Sequence, residues 1–362
     1  MKKKLHKKVL VCLSGGVDSS VAALLLVQQG YDVTGAYMKQ WSDTKGLSGV
    51  CSWKEDRREA VRVAAHLGIP LLTLDFEKEY KQTVVDYLFT EYEKGNTPNP
   101  DVMCNKYVKF GFWLKKAKKN GFDYLATGHY AQVVFQKNIY HLRESVDEEK
   151  DQTYFLHQLD QDQLAHVLFP IGGLKKKQVR MLAHKAGLPT ANRAESMGIC
   201  FIGEIPMKDF LLQKIKPKKG NILFNETIIG KHEGLPFYTI GQRHGFSQPG
   251  GGDALFVVEK DLKTNSLLVG TNQDARLSSD QIAIHDVSWV SGQSPIFPLE
   301  CFVRLRHRQA LQKGFLHQES KDSKKFIFKP NILQKSITPG QFAVFYKNGE
   351  CLGGGVIVER II

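Results

Sequence analysis

Three short stretches of this 362-residue chain combine residue types that can do chemistry. The first, Ser14-Gly15-Gly16-Val17-Asp18-Ser19-Ser20, follows the apolar run Val9 to Leu13 and precedes a helical pattern carried by Val21, Leu24 and Leu25. Glycines let backbone N–H groups approach an anion, the serine hydroxyls add donors, and a helix N-terminus adds positive potential. Asp18 is placed to hold the magnesium ion that accompanies a nucleotide. The second stretch is Asn99-Pro100-Asp101-Val102-Met103-Cys104-Asn105. Pro98 and Pro100 stiffen it and predict a rigid loop rather than helix, with helix following from about Tyr107 to Lys119. Taken alone, Cys104 reads more readily as a small buried residue than as a nucleophile. Lys106, Lys109 and a helix N-terminus would favour its thiolate, and Asp101 can move a proton. In the third stretch, Gly198-Ile199-Cys200-Phe201-Ile202-Gly203, a second cysteine sits between glycines. Its apolar neighbours raise a thiol pKa, so Cys200 needs exposure or conversion to a persulfide before it reacts.

These stretches must be held by a folded scaffold. Hydrophobic residues make up 42% of the chain and charged residues 24%, an ordinary globular balance, and the length calls for two or three domains. Lys and Arg number 50 against 37 Asp and Glu, and a net charge of +13 suits a polyanionic partner, nucleic acid first. The lysine-rich start is followed by too short an apolar run for export, and no stretch is long enough to span a membrane. The expected location is the cytoplasm. Six dispersed cysteines without a C-x-x-C pair argue against a disulfide scaffold, a zinc ribbon or an iron-sulfur enzyme.

Strands at Val9–Leu13, Val33–Met38, Leu71–Leu74 and Tyr124–Thr127 alternate with helical patterns. This predicts a doubly wound parallel α/β domain over residues 1–206, with ligands at the carboxyl ends of its strands. Further helices are expected at Asp160–Leu168 and Lys175–Ala186, the second rich in Lys and Arg. Beyond Pro206 glycines, prolines and short strands take over, giving a small, mostly β domain over 207–276. Strand patterns from Ile282 onward predict a C-terminal β-barrel over 277–362.

The loop Ser14 to Ser20 lacks the lysine of a Walker A motif and resembles the pyrophosphate loop of the PP-loop ATPases, which split ATP between its α and β phosphates. With NPDVMCN and GICFIG in the same order, the whole chain resembles the tRNA-specific 2-thiouridylases. ATGHYA at Ala126 to Ala131, KDQTYFL at Lys150 to Leu156, YTIGQR at Tyr238 to Arg243 and RHRQ at Arg306 to Gln309 extend the match. The resemblance implies that Cys12, Leu13, Ser14, Gly15, Gly16, Val17, Asp18, Ser19, Met38 and Gly128 surround ATP. It further implies that Asn99, Pro100 and Asp101 lie against the target base, while Lys150, Asp151, Gln152, Arg306 and His307 touch tRNA. Cys200 would carry a persulfide and Cys104 would be the nucleophile. Two departures stand out: Cys12, where a smaller residue is usual, and Leu255-Phe256, where the family often has an aromatic pair starting with Trp.

The implied reaction adenylates the C2 oxygen of the wobble uridine and replaces it by sulfur, giving 2-thiouridine, AMP and pyrophosphate. Either Cys104 frees hydrosulfide from the Cys200 persulfide and leaves a disulfide, or the persulfide attacks the base and Cys104 resolves the adduct. Both routes require the two sulfurs to meet. The expected substrates are tRNAs for Lys, Glu and Gln, and the expected donor is a sulfur-relay protein or a cysteine desulfurase. A PP-loop ligase for a small molecule would share the glycine-rich loop but has no reason to keep both cysteines. A tRNA-binding module with a dead site would not turn over ATP.

Overall fold

A computed structural model describes residues 7–39, 53–194, 206–246, 253–319 and 324–361. Strand β1 (Lys8–Cys12) is apolar after Lys8 because both faces are covered: Val9 and Val11 face one core cluster, Leu10 and Cys12 another. Helix α1 (Val17–Gln29) follows and ends at Gly30, whose φ of 90° lets its N–H reach the carbonyls of Leu26 and Val27. Next come β2 (Asp32–Lys39), α2 (Trp53–Leu67) and β3 (Leu71–Asp75). The series continues with β4 (Tyr124–Ala126), β5 (Gln132–Gln136), β6 (Ile139–Arg143) and β7 (Val167–Leu168).

The parallel sheet has the order β3-β2-β1-β4-β7, with Val9 opposite both Val33 and Tyr124. The doubly wound α/β expectation holds. Its last strand was missed: the expected helix Asp160–Leu168 stops at Ala165, and Val167 and Leu168 pair beside Leu125 and Ala126. Asp160 caps the short helix by accepting from the Gln163 N–H at 2.8 Å, and two apolar residues are enough to extend a covered sheet edge.

The middle unit is a four-stranded sheet in the order Leu255–Asp261, Ser266–Thr271, Gly220–Phe224, Thr227–His232. The C-terminal unit is a barrel, as the strand pattern implies. Its strands run Gln281–Trp289, Phe326–Pro330, Gln312–Gln318, Leu299–Arg304, Phe342–Lys347 and Glu350–Ile361, and the first pairs with the last. The hairpin β5–β6, which the sequence reading did not foresee, leaves the first domain and adds to this sheet, with Leu142 opposite Cys351.

Candidate active site

The glycine-rich loop sits at the carboxyl end of β1, where a doubly wound sheet binds its ligand. Gly15 has φ +80°, and a side chain there would meet the Arg193 guanidinium at 2.8 Å. Arg193 donates to the Gly15 carbonyl at 2.7 Å and to Asp56 at 2.5 Å, tying the loop to the start of α2. Ser14 Oγ lies 3.1 Å from Ser19 Oγ, and the Ser14 N–H points at Ser19 Oγ from 3.2 Å. The N-cap residue of α1 is Gly16, which has no side chain to occupy the first-turn N–H groups. Exposed Ser14, the hydroxyl pair and this helix terminus together make a cradle that fits phosphate oxygens.

Cys12, Leu13 and Met38 are buried, so their side chains belong to the core. Burial pushes the Cys12 thiol far up, out of the reactive range. Gly128 packs on the first turn of α1: a Cβ there would stand 2.6 Å from the Ser19 nitrogen and 2.7 Å from the Asp18 carbonyl carbon. This loop therefore fixes the floor of the cradle.

Asp18, the residue expected to hold magnesium, is paired with a lysine here. Both its carboxylate oxygens lie 2.8 Å from Lys176 Nζ, and the Tyr130 hydroxyl donates to Oδ1 at 2.9 Å. No group of three His, Cys, Asp or Glu side chains suited to a metal occurs among the described residues. The arrangement pairs the Asp18 carboxylate with a lysine. Lys176 opens the helix Lys176–Lys185, so that residue of the basic segment faces the nucleotide loop.

The second stretch is helical, contrary to the proline argument. Asn99 caps the helix Pro100–Met103, its Oδ1 accepting from the Val102 N–H at 3.3 Å. Pro100 stands at the first helical position, where its missing N–H costs nothing. The helix continues as a π-helix, Cys104–Trp113, and then as Leu114–Lys119. Cys104 thus lies inside the first turns of a long helix and is 1% exposed, in the same core cluster as Cys12 and Met38. Beside it, the buried Asn105 Oδ1 has no hydrogen-bond partner. π-Helical segments often mark functional positions because they offset side chains from the α-helical register. Cys200 and its flanking glycines lie outside the described residues, as does Cys51.

Sequence reasoning missed the residue that holds this stretch from the far end of the chain. Gln341 donates from Nε2 to the Thr97 carbonyl at 2.8 Å, while its Oε1 accepts from Asn99 Nδ2 at 3.3 Å. The Thr97 N–H donates to the Pro339 carbonyl at 2.9 Å. The only local signal was the Pro339-Gly340 turn.

The expected RNA-contacting residues separate into two kinds. Arg306 is exposed and Lys150 half-buried. Asp151 is 3% exposed, so its carboxylate is held inside the protein. Its carboxylate accepts from Thr153 Oγ1 at 2.6 Å and the Ser145 N–H at 3.0 Å, and pairs with Arg304 at 2.5 Å. Arg304 also reaches Glu144 at 2.8 Å and lies over the Tyr346 ring. Gln152 accepts from the Tyr130 N–H at 3.0 Å. His307 packs against Phe155 with the rings tilted by 42° and their centroids 4.4 Å apart, and burial holds its pKa down to about 4. Asp151, Gln152 and His307 therefore brace the segment that carries Lys150 and join it to the barrel.

Residues 7–204 match the family described as tRNA methyl transferase HUP domain, 208–271 the PRC-barrel domain of the same name, and 279–357 an aminomethyltransferase beta-barrel domain. Full-length relatives carry another activity in their names. A tRNA-specific 2-thiouridylase MnmA of Listeria monocytogenes is 47% identical over 353 residues, 97% of this chain and 94% of that protein. One of Geobacillus thermodenitrificans is 46% identical over 362 residues, 99% and 97% of the two chains. Among solved structures, a 4-thiouridine synthetase in complex with RNA and ATP is similar with a TM-score of 0.36 and 19% identity. That match covers 57% of this chain and 50% of the other. An NMN synthetase from Francisella tularensis gives 0.32 and 17%, covering 53% and 66%. Those two likenesses are too distant to bear on chemistry. The full-length identities decide, and the chain belongs to the family of tRNA-specific 2-thiouridylases, a family of sulfurtransferases.

Proposed function

We propose that this protein replaces the C2 oxygen of a wobble uridine in tRNA by sulfur, in the cytoplasm, on tRNAs for Lys, Glu and Gln. The observation that carries the reading is that the chain is akin to 2-thiouridylases along its whole length, with Cys104 in the same buried cluster as Cys12, two residues before Ser14 of the glycine-rich loop. Bound ATP supplies an α-phosphorus that turns the uracil O2 into a leaving group. The cradle of Ser14, Ser19 and the α1 terminus binds the phosphates and orients that phosphorus. Asn99, Pro100 and Asp101 hold the base, and Asp101 moves the proton.

Cys200 carries the persulfide, loaded by a sulfur-relay protein or a cysteine desulfurase, and Cys104 is its partner in the transfer. Two sulfurs held in line with an activated carbon gain on the order of 7 to 11 kcal/mol from orientation. Residues 1–206, 207–276 and 277–362 act as the ATP-binding, middle and RNA-contacting units. The test is mass spectrometry of tRNA nucleosides after incubation with ATP, magnesium and a sulfane-sulfur donor, a cysteine desulfurase with cysteine. Wild type should form 2-thiouridine, and Cys104→Ser and Cys200→Ser should each abolish it while leaving tRNA affinity within about twofold. Normal thiouridine from either variant would overturn the cysteine roles.

A further inference from the structure

The peptide joining Gly15 to Gly16 is the least restrained part of the phosphate loop by sequence. Glycine on both sides lets it rotate at little cost, and Gly15 stands at φ +80°. A trans peptide points its C=O and its N–H in opposite directions, so whatever holds the one aims the other. Here the Gly15 carbonyl accepts from Arg193 Nη1 at 2.7 Å. The Gly16 N–H of the same peptide faces Ser14 Oγ at 3.4 Å, on the side of the Ser14 and Ser19 hydroxyls. Rotated the other way, this peptide would turn a carbonyl oxygen toward phosphates bound in the cradle. The next peptide has its own anchors, since the Gly16 carbonyl accepts from Ser20 Oγ at 2.8 Å and Ser19 Oγ at 3.1 Å at the start of α1.

Arg193 is itself held at both ends. Its other arm, Nη2, donates to Asp56 at 2.5 Å. Asp56 packs closely on the loop, for a Cβ on Gly15 would stand 3.0 Å from the Asp56 Cα. The turn that carries Arg193 is fastened to two helices. Arg180 Nη1 donates to the carbonyls of Ala191 and Arg193 at 2.9 and 2.6 Å, tying the turn to the helix Lys176–Lys185. Thr190 Oγ1 donates to Ser20 Oγ at 3.0 Å, tying it to α1, and the Arg193 N–H closes the turn on the Thr190 carbonyl at 3.0 Å. The Arg193 side chain is 23% exposed, so the guanidinium is largely shielded from competing water. Its planar fork serves a carbonyl with one arm and a carboxylate with the other, a division that a single ammonium reproduces less well.

We propose that Arg193 is a positioning residue for ATP: by holding the Gly15 carbonyl it keeps the Gly16 N–H turned into the cradle, where that N–H meets a phosphate oxygen. The inference rests on the function proposed above. Arg193 acts through the backbone of the loop and not by touching the phosphates. The consequence is selective. Loss of this strut removes a donor to the phosphate chain and leaves the contacts of the adenosine part as they are, whereas general loosening of the domain weakens both.

The experiment titrates ATP with magnesium, and separately adenosine, into the full-length protein by calorimetry, comparing wild type, Arg193→Met and Arg193→Lys. Thermal melting reports whether each variant folds. Arg193→Met should weaken ATP binding about 10- to 100-fold, the factor carried by a hydrogen bond from a charged donor, with adenosine within about twofold. Arg193→Lys, which keeps the charge and a donor without the fork, should lie between Met and wild type, and it decides the matter if the Met variant does not fold. Folded variants that bind ATP within about twofold of wild type would overturn the assignment, as would equal losses for ATP and adenosine. Titration needs no turnover, so the two readings fail separately. A wild type that binds ATP but forms no 2-thiouridine removes the sulfurtransferase reading. An active wild type beside folded variants of unchanged ATP affinity removes only the role of Arg193.

Discussion

Asn99, at the start of the Cys104 helix, and Gln341, in the C-terminal barrel, are hydrogen-bonded across 242 positions of sequence at 3.3 Å. Since Gln341 also donates to the carbonyls of Thr97 and Pro98, the barrel fixes the approach to the residues proposed to hold the base. Gln341→Ala would leave these partners to water, at a cost of about 1 to 3 kcal/mol in the order of that stretch. Thiolation turnover should fall about tenfold while the KM for ATP stays within about twofold. Steady-state kinetics with unchanged turnover would show that the clamp is dispensable.

A second expectation concerns Gly128. Its missing side chain is what allows the loop after β4 to touch the backbone of Ser19 and Asp18, and backbone cannot yield as a flexible side chain can. Gly128→Ala should push the first turn of α1 out of place, an overpacking effect of about 1 to 3 kcal/mol. The KM for ATP should rise about tenfold or more, with tRNA binding little changed. Titration of ATP against the variant checks it.

Lys176 and Asp18 form a third test. Lys176→Met leaves the Asp18 carboxylate unneutralised beside the place where phosphates bind, and like charges repel. ATP binding should weaken several-fold, and adding Asp18→Asn should restore part of the loss. A double-mutant cycle should give a coupling above about 0.5 kcal/mol. Strictly additive effects would mean that the pair does not act on the nucleotide.

Part of the acid sensitivity should come from His157, beside the likewise depressed His129 and His307. The His157 side chain is fully buried, its Nδ1 donates to the Tyr154 carbonyl at 2.7 Å, and burial above all holds its pKa at about 4, against an ordinary 6.5. Between those values the unfolded chain binds a proton that the folded chain refuses, so stability rises with pH there and is lost on acidification. The slope is about 1.4 kcal/mol per pH unit, or about 3 kcal/mol across the window. Denaturant melts at pH 7 and pH 4.5 should show this loss, and His157→Gln should flatten the curve by about one proton. An unchanged slope would place the acid-labile group elsewhere.

The features legible in sequence were those carried by local chemistry. An apolar run ending in Ser14-Gly15-Gly16 requires a buried strand and a phosphate turn, so β1 and its loop were readable from a few residues. The start of the Cys104 helix was not, because Pro100 reads as a helix breaker until it is known to occupy the first turn. Asp151 shows the other limit. Its position in a charged segment suggests a surface, and only the fold brings Arg304, from 153 positions away, to bury it. Strand β7 was invisible because two residues carry no periodicity.

The pairing of β6 with the last barrel strand has a mechanical meaning. Glu350 and Cys351 are stitched by backbone to Arg143 and Leu142, and His141 bonds Glu350 at 2.7 Å, so the front and rear of the polypeptide share one continuous ladder. Cutting the chain before residue 281 would leave the hairpin with a bare, hydrogen-bond-hungry edge, a surface prone to self-association. A shortened protein should therefore precipitate rather than survive as a minimal catalyst, and any hinge in this enzyme has to bend somewhere other than at that seam.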